Sequence, residues 1–243
     1  MQLKGLFEEN IQGRLAEFDE TEKGYLAYVH FKYYKKLMNK IREGTFVVVE
    51  NYLSEENKRR FTTLQIIDVL PIHFALSSIL EGRRPYPGFS WVAMESASKD
   101  FLDQVDTSKM DETFVRCTCI PIGFDLIVSS KGVEFEKANN KPIQGKEAFV
   151  LLPQLIQKLY NKGLLPDNAR RVGDLALDTA THLSINVDFL KLITLHFGIF
   201  ATTGGGKSNL VATLVRQILT NLPQVKVVIF DIAGDYPALL IDQ

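Results

Sequence analysis

Cysteine is scarce: two residues in a chain of 243, Cys117 and Cys119, stand one residue apart in TFVRCTCIPIGF. On a strand both thiols point to one face, where a bond between them is strained, and two thiols alone do not complete a zinc site. Buried apolar thiols in a reducing, cytosolic compartment are the expectation. An excess of one charge is also missing. Twenty-eight basic residues against 29 acidic leave a net charge of −1. A strongly basic chain would point to nucleic acid and a strongly acidic one to a solvating tail; this balance points to neither, although a neutral total still leaves room for a local basic stripe. No window approaches the roughly 20 apolar residues of a membrane helix, and the opening MQLKGLFEENIQG carries acids where a signal peptide needs an apolar run. No membrane association is expected. His30, His73 and His182 are scattered without metal-ligand spacing, so no metal site is expected of them. Internal repeats and low-complexity tracts are absent.

What remains is an ordinary globular composition, 46% apolar and 23% charged, in a chain long enough for one large domain or two ordinary ones. Residues 1–95 read as strands between turns. TFVVVENYL (45–53), FTTLQIIDVL (61–70) and FSWVAMES (89–96) are rich in β-branched and aromatic residues, and REGT (42–45) and RRPYPG (83–88) supply turn chemistry. The segment 25–41 is ambiguous: its front half reads as a strand, and its rear half is compatible with a helix. Short strands without helical crossovers suggest a small antiparallel barrel or sandwich. Residues 96–171 are mixed: strands in 113–135 around a glycine turn, EAFVLLP, then a helix with Pro153 at its first position. Leu155, Ile156, Leu159 and Tyr160 share one face of that helix. LLPDNARR (164–171) reads as a linker.

The pattern changes from residue 172. HFGIF (196–200) is a short unalternating apolar run, as in a strand covered on both faces. Glycines follow, then Leu210, Val211, Leu214, Val215, Ile218 and Leu219 at helical spacing, then VKVVIF (225–230) as a second buried strand. Strand, glycine loop, helix and strand make one right-handed βαβ unit with the loop at the carboxyl end of its first strand, where a phosphate is expected. ATTGGGKS fits G-x-x-x-x-G-K-[ST] except that Ala201 stands at the first glycine. Thr203, Gly204, Gly205, Gly206, Lys207 and Ser208 would wrap a β-phosphate with successive N–H groups at a helix N-terminus, with Thr202 and Asn209 flanking them. Lys207 would reach the β- and γ-phosphates, and the Ser208 hydroxyl would take a position on Mg²⁺. Asp231, 24 residues after Lys207 at the end of the second run, can reach the Mg²⁺ or its water, and Asp235 follows past Gly234. The bland readings are a flexible glycine turn and two solvated acids. Asp231 to Gly234 also spells the D-x-x-G of a GTPase-like switch.

The stretch RVGDLALDTATHLSINVDFLKLITLHFGIFATTGGGKSNLVATLV, followed by VVIFDIAGDYP, resembles the HerA-like ATPases of the HerA–FtsK superfamily. The resemblance is carried by His196 leading into the loop, Ser208-Asn209 after it, and Asp231, Gly234, Asp235 and Tyr236, with Asp235 where the family more usually has Glu. It implies an α/β fold in three parts: an N-terminal barrel-like domain (1–95), of the type shared with ATP-synthase subunits, a mixed connecting region (96–171), and the start of a RecA-like P-loop core (172–243). It further implies ATP with Mg²⁺, a homo-hexameric ring, translocation along double-stranded DNA and a NurA-like nuclease partner in DNA end processing. In that family the hydrolytic carboxylate and a trans-acting arginine lie in later elements. No catalytic residue is therefore assigned, and the chain is expected to bind nucleotide without hydrolysing it well. The alternative is a nucleotide-binding scaffold or GTPase-like switch that does not act on DNA. The basic pairs Lys35-Lys36, Arg59-Arg60, Arg83-Arg84 and Arg170-Arg171 are candidate phosphate contacts, each more commonly a solvated face.

Overall fold

The computed structural model describes residues 5–73, 113–165, 168–176 and 182–241, apart from residues 12 and 23, together with Val92, Met94, Glu95 and Ser98. The chain divides into two compact units, residues 1–156 and 157–243.

The first unit is built on strands β1 (Gly13–Thr21), β2 (Gly24–Lys32), β3 (Phe46–Glu50), β4 (Lys58–His73), β5 (Thr113–Ser129), β6 (Gly132–Lys137) and β7 (Glu147–Val150). All pairings are antiparallel, in the order β2-β1-β7-β3-β4-β5-β6, and β2 also pairs with β5. That last pairing closes six strands into a barrel and leaves β6 as a hairpin arm on β5. Strand β5 serves both neighbours in turn: Phe114 to Cys119 face β2, whereas Phe124 to Ser129 face β6. Register shifts in β1 (Leu15/Glu17) and β4 (Thr62/Leu64 and Ile66/Asp68) add the local twist that so small a barrel requires. The sheet thus draws strands from both sides of residue 95.

Alternation fills the interior. Tyr25, Ala27, Val29 and Phe31 of β2 point inward, as do Val115, Cys117 and Cys119 of β5. Phe31 lies opposite Gly13, and a Cβ on Gly13 would sit 2.4–2.8 Å from three atoms of the Phe31 ring. Glycine there is what lets the ring close the barrel between β1 and β2. Both cysteines are fully buried and unbridged. Burial, with a smaller contribution from Asp68, pushes the Cys117 thiol up to about 12, and burial also raises Cys119. A buried polar knot braces one side. Asp125 Oδ2 accepts hydrogen bonds from Asn51 Nδ2 (2.9 Å) and Asn140 Nδ2 (2.7 Å), and Thr62 donates to the Asn140 carbonyl (2.7 Å).

The helix expected at 153 is present as α1 (Pro153–Tyr160), with Leu155, Ile156 and Leu159 buried; Tyr160 is 44% exposed and does not belong to the buried face. The segment 25–41 divides as expected, into β2 and a short 3-10 helix, Lys35–Asn39. The strand expected at 89–96 falls mostly outside the described residues, and its described positions Val92, Met94 and Glu95 are helical, so its β-rich composition did not decide its conformation. The turn at 83–88 lies outside them altogether.

In the second unit β8 (Ala169–Ala176) and β9 (His182–Asp188) form a separate two-stranded antiparallel sheet, followed by α2 (Phe189–Thr194), α3 (Lys207–Asn221) and α4 (Tyr236–Leu239). Asp188 caps α2 by accepting from the Lys191 N–H (3.1 Å). Phe189, Leu214 and Ile218 form the core, and Val172, Val187, Ile199, Val225 and Val227 pack around it. Of the apolar positions expected on α3, Leu214, Val215 and Ile218 are buried, while Leu210 and Leu219 lie at the rim and are exposed. The two apolar runs at 196–200 and 225–230 depart from the expectation of strands covered on both faces. Among the described residues neither joins a ladder, and only one side of each is covered: Ile199, Val225 and Val227 pack inward, whereas Phe200 is 93% and Phe230 92% exposed. An extended segment becomes a strand only when a neighbour takes its N–H and C=O groups.

Candidate functional site

The run ATTGGGK forms a tight loop leading into α3. Gly204 (φ +80) and Gly206 (φ +77) occupy left-handed conformations that glycine adopts at no steric cost. Gly205 is not left-handed but is pressed from within: a Cβ there would lie 2.9 Å from Ala201 Cβ and 3.0 Å from the Thr202 carbonyl oxygen. Its N–H donates to that same Thr202 carbonyl (3.0 Å), which closes the turn.

Gly206 is the N-cap of α3, and the first bond of the helix runs from the Leu210 N–H to the Gly206 carbonyl (2.9 Å). The N–H groups of Lys207, Ser208 and Asn209 precede that bond, so the helix leaves them without an intrahelical acceptor. None of the helix's own first-turn residues is acidic, so α3 does not neutralise its positive end from within. Lys207 Nζ donates to the carbonyls of Ala201 (2.9 Å) and Thr202 (3.3 Å), so the loop curls around its own ammonium. Thr202, Thr203 and all three glycines are exposed, and Lys207 and Ser208 half-buried. Backbone donors, one ammonium and one hydroxyl at a helix N-terminus have the chemistry that binds phosphate oxygens.

The second expected element comes to the same place. Asp231 lies inside the turn that follows the 225–230 run, where its Oδ1 accepts the Gly234 N–H and its Oδ2 the Tyr236 N–H, both at 2.9 Å. Backbone N–H groups, that of Tyr236 foremost, hold its carboxyl below the usual carboxylate range. Asp235, exposed and four residues on, meets α3 directly: Ser208 Oγ donates to its Oδ2 at 3.2 Å. The side chains brought together are thus Ser208 and Asp235, with Asp231 turned onto its own backbone. Arg216, two turns along α3, donates to the Leu239 carbonyl (2.6 Å) and anchors the same segment at its other end. Neither tie was legible in sequence. The helical spacing of Ser208 and Arg216, eight residues apart on one face, was the available signal for a segment lying along α3.

Other candidates gather less. Among the described residues no group of three or more His, Cys, Asp or Glu is placed to hold a metal. His30 is packed against Phe114 (4.7 Å between rings), His73 is buried, and His182 and His196 are exposed. Of the basic pairs, Arg59 is bound to Glu50, Arg60 to Glu136 and Arg171 to Asp174, while Lys35 and Lys36 are solvated and Arg83 and Arg84 lie outside the described residues. A cleft of about 270 Å³ in the first unit is lined by Arg14, Glu50, Arg59, Lys146 and Phe149 among others. Burial there works against ionising Glu50, but hydrogen bonds from Arg59, Ser54 and Lys146 outweigh it and bring the carboxyl to about 2. Two of the cleft's cations are thereby already paired. Among the described residues no helix is long and apolar enough to cross a membrane.

Residues 170–242 match the family model described as the central domain of helicase HerA. The chain is similar to a probable helicase of Methanocaldococcus jannaschii, 35% identical over 83 residues, which are 34% of this chain and 14% of that protein. It is similar to the DNA double-strand break repair helicase HerA of Pyrococcus furiosus, 33% identical over 100 residues, 40% of this chain and 16% of that one. A second probable helicase of M. jannaschii is 28% identical over 92 residues, 37% of this chain and 16% of its own length. The matched segment therefore spans only 14–16% of each of these relatives.

Proposed function

We propose that this chain, which is HerA-like over residues 170–242, belongs to an ATP-binding P-loop ATPase that works on double-stranded DNA. The carrying observation is the loop itself: left-handed Gly204 and Gly206, the tightly packed Gly205, and Lys207 and Ser208 at the open end of α3. In this reading the N–H groups from Thr203 to Ser208 bind the β-phosphate, that of Gly205 by releasing the Thr202 carbonyl, with Thr202 and Asn209 at the margins. Lys207 exchanges its carbonyl partners for phosphate oxygens. The residues present also suit Mg²⁺, since hydroxyl and carboxylate oxygens are the donors a hard cation takes, and Ser208 and Asp231 are the candidates to supply them. Mg²⁺ held there would supply charge neutralisation at the phosphate oxygens.

The extended runs at 196–200 and 225–230 would be strands of a RecA-like sheet, and residues 172–243 the first part of that core. The closed barrel, which takes β5 and β7 from the 96–171 segment, supports the reading of an N-terminal domain like that of HerA-type ATPases. Assembly as a homo-hexamer, translocation along the duplex and work with a NurA-like nuclease belong to the same proposal, as does a cytoplasmic location. The similarity to a repair helicase favours this reading over a scaffold or GTPase-like switch. Titration with ATP and GTP, with and without Mg²⁺, tests it beside Lys207→Ala. Mg²⁺-dependent ATP binding that the substitution abolishes is expected, as is ATP hydrolysis stimulated by duplex DNA in a protein carrying the complete core. A preference for GTP, or hydrolysis indifferent to DNA, would refute the reading.

A further inference from the structure

Two carboxylates follow the second apolar run, and their surroundings are opposite. Asp231 has both oxygens committed to backbone, Oδ1 to Gly234 and Oδ2 to Tyr236, each at 2.9 Å. The left-handed Gly234 (φ +75) folds the turn so that these N–H groups converge on it. Asp231 is in effect the anion of a nest made by its own loop. Any movement toward a cation beside Ser208 would compete with the hydrogen bonds that shape the turn.

Asp235 makes no such use of its carboxylate. It is exposed, and one oxygen lies 3.2 Å from Ser208 Oγ, the hydroxyl at the mouth of the loop. Its segment is also pinned on both sides: Tyr236, the next residue, is bonded to Asp231, and Leu239 to Arg216 of α3. A carboxylate held from two directions against a hydroxyl, with its remaining acceptor positions open to solvent, is placed to share an oxygen-liking cation with that hydroxyl.

We propose that Asp235, not Asp231, is the carboxylate that faces the nucleotide-bound Mg²⁺ beside Ser208, and that Asp231 is a positioning residue which folds the 231–236 turn so that Asp235 is held there. The assignment rests on the phosphate-loop reading above and makes the role of each acid separable. In this assignment the Ser208 hydroxyl oxygen and the Asp235 carboxylate, now joined by a hydrogen bond, would together supply the oxygen partners for the cation and its water.

The test uses the full chain in two experiments. The first follows a fluorescent ATP analogue as Mg²⁺ is raised; the second follows amide hydrogen exchange by NMR with neither present. Asp235→Asn is expected to raise the Mg²⁺ concentration for half-maximal tightening by roughly tenfold or more, the usual cost of losing an oxygen partner at a metal site. In the exchange experiment it leaves the Gly234 and Tyr236 amides as protected as in the parent. Asp231→Asn is expected to speed exchange of those two amides and to shift the Mg²⁺ response by a smaller factor. Loss of the Mg²⁺ response in the Asp231 variant but not in the Asp235 variant overturns the assignment, and so does loss of amide protection in the Asp235 variant alone. If the parent does not bind the analogue, or Lys207→Ala binds it equally well, the phosphate-loop reading falls and the metal role falls with it. Failure of the assignment alone leaves Lys207-dependent binding intact.

Discussion

Ala201 stands where a phosphate loop commonly has glycine, and the structure specifies what its methyl does. A Cβ added at Gly205 would lie 2.9 Å from Ala201 Cβ and 3.0 Å from the Thr202 carbonyl oxygen. Carbon atoms in contact ordinarily rest about 3.5–4.0 Å apart, so Gly205→Ala forces one wall of the loop outward. Overpacking of this kind costs about 1–3 kcal/mol. The loop is exposed and lies outside the buried core, so the penalty falls on this tight loop conformation rather than on the fold. Gly205→Ala is therefore expected to weaken ATP binding by roughly 5- to 150-fold while moving global stability by only about 0.5 kcal/mol. Ala201→Gly removes one of the two obstacles, and the double variant should recover much of the loss; the Thr202 carbonyl prevents full recovery. A double-mutant cycle with a fluorescent ATP analogue reads this coupling directly. If the two substitutions are additive, or if Gly205→Ala binds like the parent, the nucleotide is not held by the closed loop seen here, and the structural account of the site is wrong.

In the barrel, Gly13→Ala is expected to destabilise by about 1–3 kcal/mol because its methyl meets the Phe31 ring. Phe31→Leu in the same chain should lower that increment, as read by urea unfolding. Cys117 and Cys119 should resist a thiol reagent in the folded protein and react at once in denaturant, since burial raises both thiols; rapid labelling without unfolding would contradict their placement. The Glu50 carboxyl is lowered from 4.5 to about 2, so its ion pairs stabilise the fold fully above the unfolded value and are lost as pH falls through the folded one. Stability should drop between about pH 4.5 and 2 with a component that Glu50→Gln removes, measured by thermal unfolding across that window.

Local pattern carried the fold wherever neighbours in sequence are neighbours in space. The β5–β6 hairpin, α1 behind Pro153 and the glycine loop before α3 follow from period, turn residues and caps, all short-range quantities. The barrel's closure does not. It depends on β2 pairing with β5 across some ninety intervening residues, on Gly13 yielding its side-chain space to Phe31, and on β5 changing partner along its length. Nothing in one strand's composition records which strand lies beside it. The apolar runs at 196–200 and 225–230 show the converse. Their composition announces strands, but strand structure is a property of a pair, and among the described residues each is covered on one side and joins no ladder.

The same distinction governs the site. Gly204 to Ser208 could be read as a phosphate cradle because the cradle is made by consecutive backbone groups, so residue type and order are nearly its whole description. The two acids could not be told apart that way. Spacing alone favours Asp231, the first carboxylate beyond the apolar run. In the folded turn that very position exposes it to the N–H groups of Gly234 and Tyr236, which occupy it, and delivers Asp235 to Ser208 instead. A carboxylate at the start of a tight turn is drawn to the turn's own amides before it is available to anything else. The residue that organises the turn and the residue the turn presents are for that reason different ones, and the second is found only once the hydrogen bonds of the first are known.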